Sequence, residues 1–187
     1  MCIDLELGIK IGAFIISLFF FIKGICEYAK AQKWKRVEFV SKEIKDFQND
    51  FDIKRAMILL DYDSNELELN TNEIEGKNKI CFKENNLIMS ALQSDKNIPV
   101  FSDEEKVIRR IFDRLFDRLT MFDNYIETGL IKVKDIKPYL TYWIEILADI
   151  QNSRKPSGVR DQIWKYIDEY RFYKIRTLCN RFGFNDK

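Results

Sequence analysis

Residues 11–22 read IGAFIISLFFFI, twelve in a row without a charge, bounded by Lys10 and Lys23. This run limits the folds open to the chain more than any other feature. Phe19, Phe20 and Phe21 make it apolar on every side, so no single face can go to a core while the other meets water. Twelve residues at a rise of about 1.5 Å fall short of the ~30 Å hydrocarbon core of a bilayer. A span must therefore take in its flanks. Leu5 to Cys26 is 22 residues, and Lys10 and Lys23 can bury their methylene stems while their ammonium groups reach the interface.

Three other readings of the leader compete with a transmembrane helix. Ala29-Lys30-Ala31 imitates the small-residue cleavage site of a secretory signal, although Asp4 and Glu6 stand where such a signal carries bases. A lipoprotein signal would want a small residue directly before Cys26, where Ile25 stands. A helix buried in a protein core is the third alternative. For a span, the flanks set the orientation. Lys30, Lys33, Lys35 and Arg36 crowd the C-terminal side, against Asp4, Glu6 and Lys10 on the other. The positive-inside rule then puts the N-terminus outside and the rest of the chain in the cytoplasm of a single-pass protein in the cell membrane. Lys10, Lys23, Lys33, Trp34, Lys35 and Arg36 are the expected membrane-interface residues. The lipid bilayer is the expected partner, and the basic cluster is placed to touch anionic headgroups.

Composition excludes several functions for the remainder. Of 187 residues, 31 are basic and 30 acidic, so no general electrostatic case for nucleic-acid binding exists, and none is expected. The chain has no histidine, which removes the commonest general acid–base, the Ser-His and Cys-His pairs, and the commonest metal ligand. Cys2, Cys26, Cys81 and Cys179 show no metal-ligand or redox spacing and read as free thiols. Fifteen phenylalanines and eight tyrosines argue for a packed core. Seven glycines and three prolines favour long helices over a many-turned sheet fold.

Apolar residues recur at Trp34, Val37, Val40, Ile44, Phe47 and Phe51. This heptad-like stripe predicts that the anchor helix runs on as a stalk to about Asn49. Val37, Val40, Ile44, Phe47 and Phe51 either pack on the domain or form the seam of a homo-oligomer. Ile53 to Leu60 predicts a short helix ending near Asp61. Leu67 and Leu69, then Ile80 and Phe82, alternate with polar residues around Gly76 and predict a small β-hairpin or loop over 67–83. A short helix over 85–93 and a linker broken by Pro99 follow. Ser102-Asp103-Glu104-Glu105 is a capping box. It opens a helix with Val107, Ile108, Ile111, Phe112, Leu115, Phe116, Leu119, Phe122 and Ile126 on one face. Arg109, Arg110, Asp113, Arg114, Asp117 and Arg118 line the other, which could hold a phosphate or acidic peptide but is expected to be solvated and paired along the helix. Gly129 is a natural stop. Asp135 is the expected cap of the next helix, with Pro138 in its first turn and Ile136 to Ile150 on its inner face. A last helix carries Val159, Ile163, Trp164, Ile167, Tyr170 and Leu178 to near Gly183.

Several constellations hint at chemistry. Asp61-Tyr-Asp63-Ser-Asn65 begins like a calcium loop, but Glu66 replaces the turn glycine and Asn72 the closing glutamate. Arg154, Lys155, Arg160 and Lys165 with Trp164 and Tyr166 mix bases and aromatics as single-strand binders do, while Asp161, Asp168 and Glu169 dilute the charge. Tyr166, Tyr170, Phe172 and Tyr173 form a ligand cage or bundle packing. Glu127, Tyr139, Tyr142 and Trp143 mark an interhelical corner that a small molecule could use. None is a catalytic constellation, a cofactor motif or a metal site.

Trp34-Lys-Arg36 after the anchor, Phe47-x-x-Asp50, Leu59-Leu60-Asp61, Phe122-x-x-Tyr125-Ile126-x-x-Gly129-Leu130-Ile131 and the aromatic last helix resemble a group of small bacterial proteins. That group has one N-terminal membrane helix and a helical cytoplasmic domain, and some of its members lie near mobile or phage-defence genes. The resemblance implies a membrane-tethered regulator or defence accessory and supplies no catalytic residues.

The expectation is therefore a mainly α protein: an N-terminal transmembrane helix continuing into a cytoplasmic antiparallel helical bundle, with a small β-hairpin around 67–83. Residues 1–33 are the anchor and flank. Residues 34–187 are the helical domain, comprising the 34–51 stalk, the 67–83 hairpin and a 102–187 three-helix core. Its expected role is interaction or sensing, with a protein partner or a second copy. A carboxylate hydrolase or nuclease using Asp61, Asp63, Asp113 and Asp117 is one alternative. An oligomeric membrane-disrupting effector built from helices of Ile11 to Ile22 is another.

Overall fold

The computed structural model describes residues 2–71, 73–96, 100–149 and 151–184, with side chains from Glu6 onward. The expectations placed on Asn72, Pro99 and Ile150, and on the side chains of Cys2, Asp4 and Leu5, lie outside the described residues. The chain is mainly helical, with one two-stranded antiparallel sheet. It divides into two compact units, Met1–Ser41 and Lys42–Lys187. That boundary falls later than the 33/34 division read from the sequence, because Trp34, Lys35 and Val37 stay exposed.

The first unit is the greater part of one helix, α1 (Cys2–Asn49), 48 residues long. No proline interrupts it. Ser17 Oγ donates to the Ala13 carbonyl at 2.9 Å, which satisfies the hydroxyl within the apolar run. The expected continuity from anchor to stalk is present as unbroken helix.

In the second unit the end of α1 turns Ile44 and Phe47 into the core. The Phe47 ring meets Phe122 edge-on, with centroids 5.5 Å apart. Asp50 then stops the helix. Its backbone is extended (ψ 127°), and its carboxylate accepts the amides of Asp52 and Ile53 at 3.0 and 3.2 Å. It thereby caps α2 (Phe51–Asp61). Phe51 consequently belongs to α2 and not to the stalk stripe, a correction to the 34–51 boundary.

The hairpin pairs β1 (Asn65–Glu68) with β2 (Lys79–Phe82), Leu67 opposite Ile80. Leu67, Ile80 and Phe82 face inward and are buried. Gly76 takes φ +71° in the connection, a region open to glycine at little cost. A short α3 (Asn86–Ala91) follows.

Helix α4 (Asp103–Glu127) is the hub, packing against α2, α3 and α7. Its capping box forms as expected: Glu105 N–H donates to Ser102 Oγ at 3.2 Å and Ser102 N–H to Glu105 Oε2 at 2.8 Å. Val107 through Phe122 on the predicted apolar face are buried, and Asp123 is buried with them. Helix α5 runs Val133–Ala148. Asp135 is not its N-cap but its third residue, accepting the Lys132 N–H at 2.9 Å. Pro138 therefore lies beyond the first turn.

The single last helix expected after Pro156 is two, α6 (Ser157–Glu169) and α7 (Lys174–Phe182). Arg171 takes φ +63°. Phe172 N–H returns to the Ile167 carbonyl at 2.9 Å and Arg171 N–H to that of Asp168 at 3.3 Å. This is the 6→1 and 5→2 pattern of a left-handed helix stop, with arginine where glycine is usual. The three-helix core thus has four helices, and Tyr170, Phe172 and Tyr173 flank the break rather than one helix face.

Candidate functional site

Helix α1 is, among the described residues, the one helix long and apolar enough to cross a membrane. Its most apolar window has a mean hydropathy of 2.0, and none of it is buried. Leu7, Ile9, Ile11, Phe14, Ile15, Ile16, Leu18 to Ile22 and Ile25 are all exposed. Soluble monomers rarely show contiguous apolar surface on this scale. At about −0.3 to −0.6 kcal/mol per Leu, Ile or Phe, the run is worth roughly −3 to −5 kcal/mol on insertion, while one lysine at mid-depth costs about 2.5–3.5 kcal/mol. A helix of this composition could therefore span only with its lysines at the ends. Lys10 and Lys23 sit there, and each has a carboxylate one turn away. Lys10 Nζ lies 2.6 Å from Glu6 Oε1, and Lys23 Nζ 3.8 Å from Glu27 Oε1. The pairing of Lys23 with Glu27 was readable in the i,i+4 spacing and was missed.

Beyond that pair, the predicted interface residues separate. Lys33 and Trp34 join Lys30 and Val37 around a shallow groove of ≈ 370 Å³ on one side of the helix. Trp34 is 74% exposed and Val37 51%. Lys35 is exposed elsewhere on the helix, and Arg36 is half-buried.

Within the second unit, the charged face of α4 is exposed in part, as expected, with Arg110 and Arg114 half open to solvent, but its arginines are held by other elements. Arg110 pairs with Asp52 and Glu73, Arg114 Nη2 with Asp50 Oδ2 at 2.7 Å, and Arg118 Nη2 with Glu43 Oε2 at 3.5 Å. Arg109 donates to the Ala91 and Gln93 carbonyls, both at 2.8 Å, and to Tyr170 Oη at 2.6 Å. The expected pairs along the helix give way to pairs with other elements, because the partners arrive from α1, α2, the hairpin and α6. Glu73 is nearly inaccessible and binds the buried Arg55, Nη1 to Oε2, at 2.8 Å.

These groups border a cleft of ≈ 530 Å³ lined by Asp50, Phe51, Asp52, Asn70, Arg110, Asp113, Arg114 and Asp117. Burial alone would raise the Asp50 carboxyl, but the Arg114 hydrogen bond and the α2 amides outweigh it and hold it below the usual range. Burial raises Asp113 against the opposing hydrogen bond from Tyr166 Oη at 2.7 Å.

The four acids of the hydrolase alternative do not meet. Asp113 and Asp117 line this cleft. Asp61 accepts from Tyr142 Oη and lies 3.7 Å from Arg154. Asp63 accepts from Asn85 Nδ2 at 2.9 Å and Lys155 Nζ at 3.2 Å. The calcium-like stretch is thus a turn, tied by a buried lysine that also donates to Asn85 Oδ1 at 2.6 Å and the Tyr62 carbonyl at 2.5 Å. Burial depresses the Lys155 ammonium, against the Asp63 hydrogen bond. No cluster of three Cys, Asp or Glu placed to hold a metal occurs among the described residues.

The basic–aromatic surface near 154–166 is likewise not continuous. Arg160 is buried against the carbonyls of Ile146, Asn152 and Lys155, and Trp164 Nε1 donates to the Leu147 carbonyl at 2.8 Å. The proposed corner also divides, since Glu127 pairs with Lys174 at 2.5 Å while Tyr142 binds Asp61. Asp123, fully buried and unforeseen, accepts from Arg181 Nε at 2.7 Å. Cys81 is exposed and Cys179 buried, neither in a disulfide.

No protein-family model matches the chain, and neither the curated proteins nor the solved structures include a match to it.

Proposed function

We propose that the chain is a single-pass, membrane-tethered interaction module, with α1 as its anchor and the Lys42–Lys187 unit working at the cytoplasmic surface. The single observation that carries this reading is the long apolar surface of α1, whose most apolar window is wholly unburied. Lys30, Lys33 and Lys35, which pair with no acid among the described residues, support the orientation. The ion pairs that tie α4 to α1, α2 and the hairpin support an interaction role, since these acids and bases hold elements together. The resemblance to small bacterial membrane proteins extends the proposal to a regulatory or defence accessory with a protein partner.

Two measurements test it. The full-length protein should stay with the membrane pellet after alkaline carbonate extraction. In a background with Cys2 and Cys26 replaced by serine, the exposed Cys81 is the thiol open to reagent, and Cys179 is buried. A membrane-impermeant maleimide should therefore label Cys81 in inverted vesicles and spare it in intact cells. Release by carbonate would overturn the tether, and labelling in intact cells would reverse the orientation.

A further inference from the structure

We infer that Lys30, Lys33, Trp34 and Val37 form a headgroup-binding face that seats anionic lipid and sets the direction in which α1 tilts. The inference rests on the tether reading and deepens it.

The four residues are spaced i, i+3, i+4 and i+7, so they share one face. The structure gathers them around a single groove. Trp34 and Val37 supply its apolar part and are far more exposed than a partnered Trp or Val would be. Among the described residues, neither Lys30 nor Lys33 is joined to an acid of the chain, whereas Lys23, nearer the bilayer, is already paired with Glu27.

Position along the helix decides what can cover this face. With the hydrocarbon edge at Cys26, Lys30 lies about 6 Å out and Trp34 about 12 Å out along the axis. The headgroup layer is about 5–7 Å thick on each side. Lys30 is inside it, and Lys33 can reach back into it. In an upright helix, Trp34 would stand clear of it. A tilt of about 30°, inside the usual 0–40° range, brings the Trp34 side of the helix down to about 8 Å, and its ring reaches the headgroups. Only a tilt toward this face does so.

Charge selects the occupant. A second parallel copy docked here would set Lys30 and Lys33 against the same lysines of its partner. An anionic surface complements both, and indole is favoured at that depth.

The test uses the full chain reconstituted in vesicles of four parts phosphatidylcholine to one part phosphatidylglycerol, with bromine on one lipid or the other. The Trp34 signal is taken as the wild-type emission minus that of Trp34→Phe. Brominated phosphatidylglycerol should quench it at least twofold more per mole fraction than brominated phosphatidylcholine. Lys30→Gln with Lys33→Gln should bring that ratio to one. A tryptophan placed on the far side, Gln32→Trp in the Trp34→Phe background, should be quenched less than Trp34 by both.

Quenching in proportion to mole fraction, or equal at the two faces, would overturn the inference. So would an unquenched Trp34 whose Trp34→Cys variant crosslinks to itself, since the occupant would then be a second copy. Carbonate extraction of the same vesicles separates the two failures. Protein that is retained but unselective loses only the lipid face, while protein that is released loses the tether as well.

Discussion

Asp50 and Asp113 line the same cleft, yet their surroundings drive their carboxyls in opposite directions. For Asp50, the Arg114 guanidinium and the α2 amides favour the charged form. Its contribution to stability is present above the unfolded-state pKa of about 3.9 and is lost as pH falls through the lower folded value. For Asp113, burial penalises charge. Its protonated form favours folding in acid, and that contribution is lost as pH rises through the raised folded value. Asp50→Asn keeps a competent cap and should lower the melting temperature at pH 7, with the deficit vanishing in acid. Asp113→Asn keeps an acceptor for Tyr166 and should raise it at pH 7, with the gain vanishing below about pH 4. Thermal melts of both variants in detergent from pH 3 to 8 check this. Equal and same-signed shifts would refute the assignment. Neither direction could be read from the sequence, because Arg114, which decides the direction at Asp50, lies 64 residues away, and the direction at Asp113 is set by burial, which packing and not spacing determines. The burial of Lys155, Arg160 and Asp123 escaped because spacing shows which groups share a face but not the acceptors and donors that other segments bring to them, Asp63 for Lys155, backbone carbonyls for Arg160 and Arg181 for Asp123.

At the scale of elements, the sequence was most informative where one helix buries one face. The α4 apolar period and its capping box formed as read, as did the inward alternation of Leu67, Ile80 and Phe82. The division of α6 from α7 was not legible. Its stop depends on Arg171 at φ +63°, and no glycine marks the position. An L-residue with a Cβ pays about 1–2 kcal/mol in that region, so Arg171→Gly should relieve it. Arg171 shows no partner whose loss would offset the gain among the described residues. The expected stabilisation of about 1 kcal/mol corresponds to a rise of about 2–4 °C in melting temperature for a chain of this size. Differential scanning calorimetry against the wild type measures it. A lowered melting temperature would mean that the arginine side chain holds the corner together.

For the whole molecule, the stripe from Trp34 to Phe51 resolves into parts with different duties. Trp34 and Val37 are open, Ile44 and Phe47 are in the core, and Phe51 opens the next helix. A seam between copies cannot use Ile44 or Phe47 without unfolding the domain, so aspartate at Phe47 would report on folding rather than assembly. The same division predicts where the chain can be cut. A chain beginning at Trp34 loses the apolar run but keeps Ile44 and Phe47, the Arg118–Glu43 pair and the Asp50 cap. It should be soluble, helical by circular dichroism and as heat-stable as the full chain. A chain beginning at Phe51 loses the buried Val40, Ile44 and Phe47, of which Ile44 and Phe47 are each worth about 2–5 kcal/mol with the cavity they leave. It also strands Arg114 and Arg118 without their acids. That loss rivals the 5–15 kcal/mol of a typical domain, so the shorter chain should aggregate or melt without cooperativity. Should the two truncations unfold at the same temperature, the last two turns of α1 would be an appendage, and only the residues after Asp50 would form the fold.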